Sequence, residues 1–199
     1  MQLEHYETFK QLLATGRRAA ASASIKTFIE SFANLEEKTV WARNFLDTEQ
    51  IGHKIRHELY EQVIFPVLLA GYQQKDPWSL RWLARTVQNL HQSDALWRSV
   101  GYKTELGFLE ELLSLDPDDH QLRKEVLSRH LDWFSYAAHE WPAGILYGQD
   151  GASARECEEI QATVAEARAL DVENLHGEFL AEFERKLAEY MARIDGLRE

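Results

Sequence analysis

Two histidine-containing pairs in this sequence have spacings that metal sites use. His53 and His57 lie four residues apart in a predicted helix, which places both imidazoles on one face. The Glu that follows the first His in zinc proteases is missing, and the third ligand would have to come from elsewhere. Glu173 and His176 have the Glu-x-x-His spacing of di-iron helical bundles, but the sequence holds no second copy. We therefore predict solvated or helix-capping side chains at both places, with no metal and no cofactor.

Nucleophilic chemistry has little support in the sequence. The single cysteine, Cys157, falls inside a predicted helix beside Glu156, Glu158 and Glu159, and neighbouring acids disfavour a thiolate. The chain has no Gly-x-Ser-x-Gly motif, no Walker loop and no dinucleotide fingerprint. We predict no catalytic residue and favour a protein that is not an enzyme.

Residues 139–151 form the one long irregular stretch, and they supply the candidate binding side chains. Those side chains are His139, Trp141, Tyr147 and Asp150. Long loops in helical proteins are either functional or disordered, and this one is too apolar for disorder. Two interpretations remain open. The loop either contributes a binding site or folds back as a packed plug over the helix ends.

Trp78 and Trp82 are four residues apart and lie next to Arg81 and Arg85. Such a pattern is compatible with an aromatic and basic surface that grips a peptide or ligand. Large aromatic residues at helical spacing are more often part of a core. We predict a helix that buries its Trp face and leaves the arginines outside.

The elements that position these residues are helices, because apolar residues recur at three- and four-residue steps and no segment alternates apolar with polar residues. The 10 glycines and 4 prolines are too few for a turn-rich β fold of 199 residues. We predict one all-α domain over residues 1–199 with about nine helices, and a kink near Phe65 before Pro66. The predicted helix starts are Asn34, Thr48, Asp76, Asp116, Ser153 and Asp171.

Two Asp-Pro helix starts, Asp76-Pro77 and Asp116-Pro117, are separated by 40 residues, a period found in helical-repeat proteins. The run from Glu111 to Asp119 resembles the junction between tetratricopeptide repeats. The resemblance implies a helical-repeat stack, an α-α superhelix. The alternative is an irregular helical bundle.

The segment Pro117-Asp-Asp-His120 is also similar to an element at a helix start in the TorD-like chaperones of molybdoenzyme maturation, which are small, acidic and all-α. That resemblance implies a chaperone role. The alternative, which we favour on the residues alone, is that these acids are first-turn partners of the helix dipole.

The net charge of -11 is confined to the second half, where residues 101–199 hold 10 Lys+Arg against 22 Asp+Glu. Such a field repels nucleic acid and anionic membrane and attracts a basic partner. The lone cysteine, the acidic start of the chain and the longest apolar run, 63–72, which is too short to span a bilayer, predict a soluble cytoplasmic protein.

Two functions follow as hypotheses. The first is a non-enzymatic protein-interaction module, chaperone-like or immunity-like, which uses the acidic half to bind a basic partner. The second is a small-ligand-binding protein or enzyme with a pocket between helices, gated by the 139–151 loop. Under the second hypothesis, His130 joins the loop side chains as a residue to test.

Overall fold

The structure is a computed structural model that describes residues 1–48, 55–139, 145–147 and 151–196. These residues form eleven helical runs, nine of them long, and contain no strand, so the predicted all-α class is confirmed. They divide into two compact units, Met1–Leu115 (unit 1) and Asp116–Glu199 (unit 2). Whether the chain behaves as one domain stays a prediction.

Unit 1 contains the first ten helical segments, of which three form one continuous run. They are α1 (Leu3–Ala14), α2 (Arg18–Glu30), α3 (Leu35–Thr48), α4 (His57–Leu59), a π-helical turn (Tyr60–Ile64), α5 (Phe65–Gln73), α6 (Pro77–Arg85), α7 (Val87–Leu90), α8 (Asp94–Ser99) and α9 (Glu105–Leu115). An aromatic cluster fills one end of its core, where Tyr6 packs on Phe28 at 5.2 Å and Trp41 stacks on Phe45 at 4.7 Å between ring centroids.

Unit 2 contains α10 (His120–Ala137), α11 (Ala154–Leu170) and α12 (Gly177–Gly196). Helices α11 and α12 run antiparallel, because Gln161 contacts Met191 while Arg168 pairs with Glu184 at 2.6 Å. Phe134 of α10 packs on Phe183 of α12 with the ring centroids 4.7 Å apart. The described buried core of this unit includes Leu127, Phe134, Ile145, Cys157, Ile160, Val164, Leu180 and Leu187.

Three of the predicted helix starts are confirmed. Asn34 accepts the amide hydrogen of Glu37 through Oδ1 at 2.9 Å. Helix α6 begins at Pro77 directly after Asp76, and α11 begins after Ser153. Ser153 and Glu156 form the reciprocal capping box that their spacing predicts, so local sequence is sufficient to fix these ends.

The other three predicted starts are wrong. Thr48 is the last residue of α3. The amide of Asp119 donates to the carbonyl of Asp116 at 3.2 Å across Pro117, so Pro117 occupies a turn and Asp119 caps α10. Asp171 follows the end of α11, and α12 begins only at Gly177.

Pro66 lies inside a continuous helical run, directly after a π-helical turn over Tyr60–Ile64, and the kink near Phe65 stays a prediction. Because proline has no amide hydrogen, the carbonyl of Gln62, four residues earlier, cannot receive the usual helical donor from position 66. The ammonium of Lys38 on α3 donates to that carbonyl at 2.8 Å. A side chain from a neighbouring helix thus compensates for a backbone donor that the sequence removes.

Replacing Lys38 by Met should lower the free energy of unfolding of unit 1 by about 1 kcal/mol, the usual value of one such hydrogen bond. In a Pro66→Ala background the same replacement should cost less, because the Ala amide restores a donor near Gln62. Urea denaturation of the four variants measures the difference. Equal costs in the two backgrounds would contradict this account of the bond.

Candidate binding groove in the second unit

The loop predicted as a binding site is described only in part. Trp141 and Asp150 lie outside the described residues. His139 is exposed just after the end of α10, and the Tyr147 ring lies 6.3 Å from the Trp133 ring in a near-perpendicular orientation. The structure shows no site formed by His139 with Tyr147, and a binding role for the four side chains stays a prediction.

Residues 145–147 and the glycine that follows the loop are packed against unit 2. Ile145 is fully buried in its core. The amide of Leu146 donates to the carbonyl of Ala137 at 2.9 Å, and the carbonyl of Ile145 accepts the amide of Ala152 at 3.1 Å. Gly151 has a φ of 85°. For 145–147, these contacts favour the interpretation as a packed plug.

The metal-like pairs are not supported as helical metal faces. His53 lies outside the described residues, and His57 sits at the start of α4 with its Nε2 3.8 Å from a Glu61 carboxylate oxygen. Glu173 and His176 lie in the loop between α11 and α12. The predicted helix start at Asp171 would have placed both residues in the first turn of a helix, but Asp171 ends α11 and α12 begins at Gly177.

Trp78 and Trp82 are half-buried at the edge of unit 1, so the prediction of a buried Trp face is wrong. The buried face of α6 consists of Ser79, Leu80, Leu83 and Ala84. Both indole N–H groups donate to Oδ1 of Asp47, at 2.9 and 3.2 Å. An indole needs a hydrogen-bond acceptor, and this exposed carboxylate supplies one at the surface.

The guanidinium of Arg43 lies 4.2 Å from the centre of the Trp78 ring and donates to Asp76 at 2.8 Å. Together with the indole bonds to Asp47, this contact ties α3 to α6. The cationic and acidic groups here satisfy one another within unit 1. The cluster is built as a surface tie between helices.

Unit 2 contains a partly open groove of about 270 Å³ with a mainly apolar lining, the kind of surface that binds a side chain or a small ligand. Its apolar part is formed by Leu127 and Leu131 of α10 and Leu170 of α11. The remaining lining residues are His120, Arg123, Lys124, Ser128, Asp171, Val172, Glu173, Leu175 and His176. We call this surface the unit 2 groove.

Two apolar side chains stand in solvent at the mouth of the unit 2 groove. Val172 is 72% exposed and Leu175 is 70% exposed, both in the loop between α11 and α12. Phe179, one turn into α12, is 39% exposed. Apolar side chains clustered around a groove are typical of an interaction surface.

The charges that line the groove balance, although unit 2 as a whole is strongly acidic. Arg123 and Lys124 face Asp171 and Glu173 across the lining. Arg123 donates to the carbonyl of Pro117 at 2.6 Å, and the Lys124 ammonium lies 3.9 Å from Glu173. The surroundings supply a negative field while the groove itself presents mostly apolar surface.

His130 lies in the interior of unit 2 with 2% of its surface exposed and its ring stacked on Phe134. Burial lowers the pKa of His130, because the charged imidazolium loses its hydration, and the nearby Glu166 carboxylate partly opposes that shift. The His130 imidazole lies in the interior of the unit. It does not line the groove.

The groove was not predicted from the sequence, since its mouth depends on where α12 begins. Starting that helix at Asp171 would have placed Leu175 on the buried stripe. One signal was available, because Asp171, Asn174 and Gly177 are the residue types that build tight polar loops.

Comparison of the chain with protein-family models, with curated proteins and with solved structures gave no match. Among the described residues, no helix has the length and apolar character needed to cross a membrane.

Replacing Ile145 by Ala should lower the free energy of unfolding of unit 2 by about 3 kcal/mol, because the side chain leaves a cavity in a packed core. Tyr147→Ala, two residues away at an exposed position, serves as the control and should cost less than about 1 kcal/mol. Thermal or urea unfolding measures both. Similar small costs would show that 145–147 is not anchored in the core.

Proposed function

We propose that this chain is a non-enzymatic protein-binding module, and that unit 2 binds a cationic segment of a partner that inserts a bulky apolar side chain into the unit 2 groove. The observation that carries this proposal is the exposure of Val172 and Leu175, 72% and 70%, at the mouth of a groove floored by leucines.

The apolar part of the contact supplies the affinity. Complete burial of a Val or Leu side chain is worth about 1.5–3 kcal/mol. Val172 and Leu175 leave most of that free energy unused in the isolated chain. A groove of about 270 Å³ has room for a single large side chain, such as a tryptophan or a leucine. An anchor residue in a central pocket is how many protein interfaces concentrate their binding energy.

The negative net charge of unit 2 favours a partner segment of positive charge. Residues 116–199 contain nine Lys+Arg and nineteen Asp+Glu, a balance of -10. Attraction of a basic segment by such a field raises the rate of association and depends on ionic strength. Because Glu173 in the lining is already paired with Lys124, this attraction comes from the carboxylates of unit 2 outside the groove.

Two resemblances in the sequence agree with this proposal. The Pro117-Asp-Asp-His120 segment, similar to the TorD-like chaperones, forms the start of α10, and its His120 lines the groove. The all-helical fold of the described residues is compatible with the helical-repeat stack that the run from Glu111 to Asp119 resembles. The first resemblance supports a chaperone role, and the second supports protein binding in general.

The proposal is tested with a fluorescein-labelled peptide, Lys-Lys-Gly-Trp-Leu-Gly-Lys-Lys, blocked at both ends, whose binding is followed by fluorescence anisotropy. Val172→Ser/Leu175→Ser should weaken its binding at least about tenfold, since both apolar side chains at the mouth, which we call the lips of the groove, are lost. Leu35→Ser/Val40→Ser in unit 1 removes apolar residues that are 46% and 65% exposed and should leave the affinity unchanged.

Two comparison peptides make the test specific. Replacing the lysines by glutamates, or the Trp-Leu pair by Ser-Ser, should each abolish measurable binding at 50 mM salt. Binding of the cationic peptide should weaken as salt is raised. Binding that ignores both the groove variant and the salt concentration would refute the proposal.

A further inference from the structure

We infer that Asp171 is a positioning residue for the unit 2 groove, and that its carboxylate keeps the side chains of Val172 and Leu175 exposed to solvent. This inference rests on the proposed function, because it explains what holds the two proposed binding residues in their exposed positions.

The carboxylate of Asp171 is engaged on both oxygens by the loop that it starts. Oδ1 accepts the amide hydrogen of Leu175 at 3.0 Å, and Oδ2 accepts that of His176 at 2.7 Å. The residue is only 8% exposed. A carboxylate this sheltered needs such donors, and charge-assisted bonds of this type are stronger than those between neutral groups.

The remainder of the loop reinforces the same path. The amide of Asn174 donates to the carbonyl of Asp171 at 2.9 Å, and Asn174 has a φ of 53°, in the left-handed region that Asn tolerates. A Cβ at Gly177 would lie 2.2 Å from Oδ1 of Asn174, so a side chain at position 177 would have to displace the Asn174 amide group. Three hydrogen bonds to Asp171 therefore fix the route of the loop towards α12.

These hydrogen bonds to Asp171, which we call the Asp171 lock, determine the position of Leu175. Its amide is tied to a buried carboxylate, and its side chain is left 70% exposed beside the apolar lining of the groove. Without the tie, the loop could fold inward and bury Val172 and Leu175 on Leu127, Leu131 and Leu170, which the hydrophobic effect favours. Such a collapse would fill the groove. Because the loop is already held in its open conformation, binding does not lose the conformational entropy of ordering it.

A positioning role predicts that substitution of Asp171 weakens peptide binding, whereas substitution of an exposed acidic residue elsewhere in unit 2 does not. Asn at position 171 replaces one of the two carboxylate oxygens by an NH2 group, a donor that cannot accept the amide hydrogen which that oxygen now binds. Asp171→Asn should therefore loosen the lips and weaken peptide binding about tenfold. Asp132→Asn removes the same charge from an exposed position on α10 and should change binding less than about twofold.

The decisive measurement is a double-mutant cycle with the Lys-Lys-Gly-Trp-Leu-Gly-Lys-Lys peptide. If Asp171 acts through the lips, Asp171→Asn should change the residual affinity less than about twofold once Val172 and Leu175 are serine. A merely structural residue would weaken binding by the same factor in both backgrounds. That result, or wild-type affinity in Asp171→Asn, would overturn the inference.

Amide hydrogen exchange distinguishes failure of this inference from failure of the proposed function. The amides of Leu175 and His176 should exchange at least about tenfold faster in Asp171→Asn than in the unmodified chain. Faster exchange without peptide binding by the unmodified chain would refute the proposed function and leave the lock in place. Unchanged exchange would refute the lock, whatever the peptide does.

Discussion

The bonds from the Asp171 carboxylate to the amides of Leu175 and His176 are the interaction on which the groove depends. An Asp that directly precedes a helix usually caps it by accepting an amide hydrogen from the first turn. In this chain both oxygens of the Asp171 carboxylate accept amide hydrogens of the loop, and α12 begins only at Gly177. The loop therefore stays a separate element between two helices, and its apolar residues face water.

Competition for helix-end amides also explains which parts of the fold the sequence could predict. Asn34 and Ser153 each have a glutamate three residues later, and the paired hydrogen bonds leave little choice of start. Asp116 and Asp119 are both good caps within four residues of each other. Asp119 caps the helix because Pro117 fits the second position of a turn. The helical class follows from periodicity, whereas such choices depend on three-dimensional context.

The same limit applies to the side chains singled out for function. Trp78 and Trp82 have core spacing, but their indole hydrogens meet Asp47, a residue more than thirty positions away on another helix. The groove combines the first three turns of α10 with the end of α11 and the following loop. Linear spacing carries no information about that encounter. Pro66, in contrast, acts on its own helix, and the loss of its amide donor follows from the sequence alone.

The groove is nearly neutral although unit 2 is acidic, so electrostatic attraction and apolar contact contribute to binding in different ways. Arg123 and Lys124 offset Asp171 and Glu173 in the lining, so the groove itself gives a partner little net electrostatic attraction at short range. The remaining carboxylates of unit 2 act over about 10 Å at 0.1 M salt and bring a cationic segment near the surface. The leucines, with Val172 and Leu175, then govern how long the segment stays. Salt should therefore alter the association rate most strongly, and changes at the lips should alter the dissociation rate, because the two forces act at different distances.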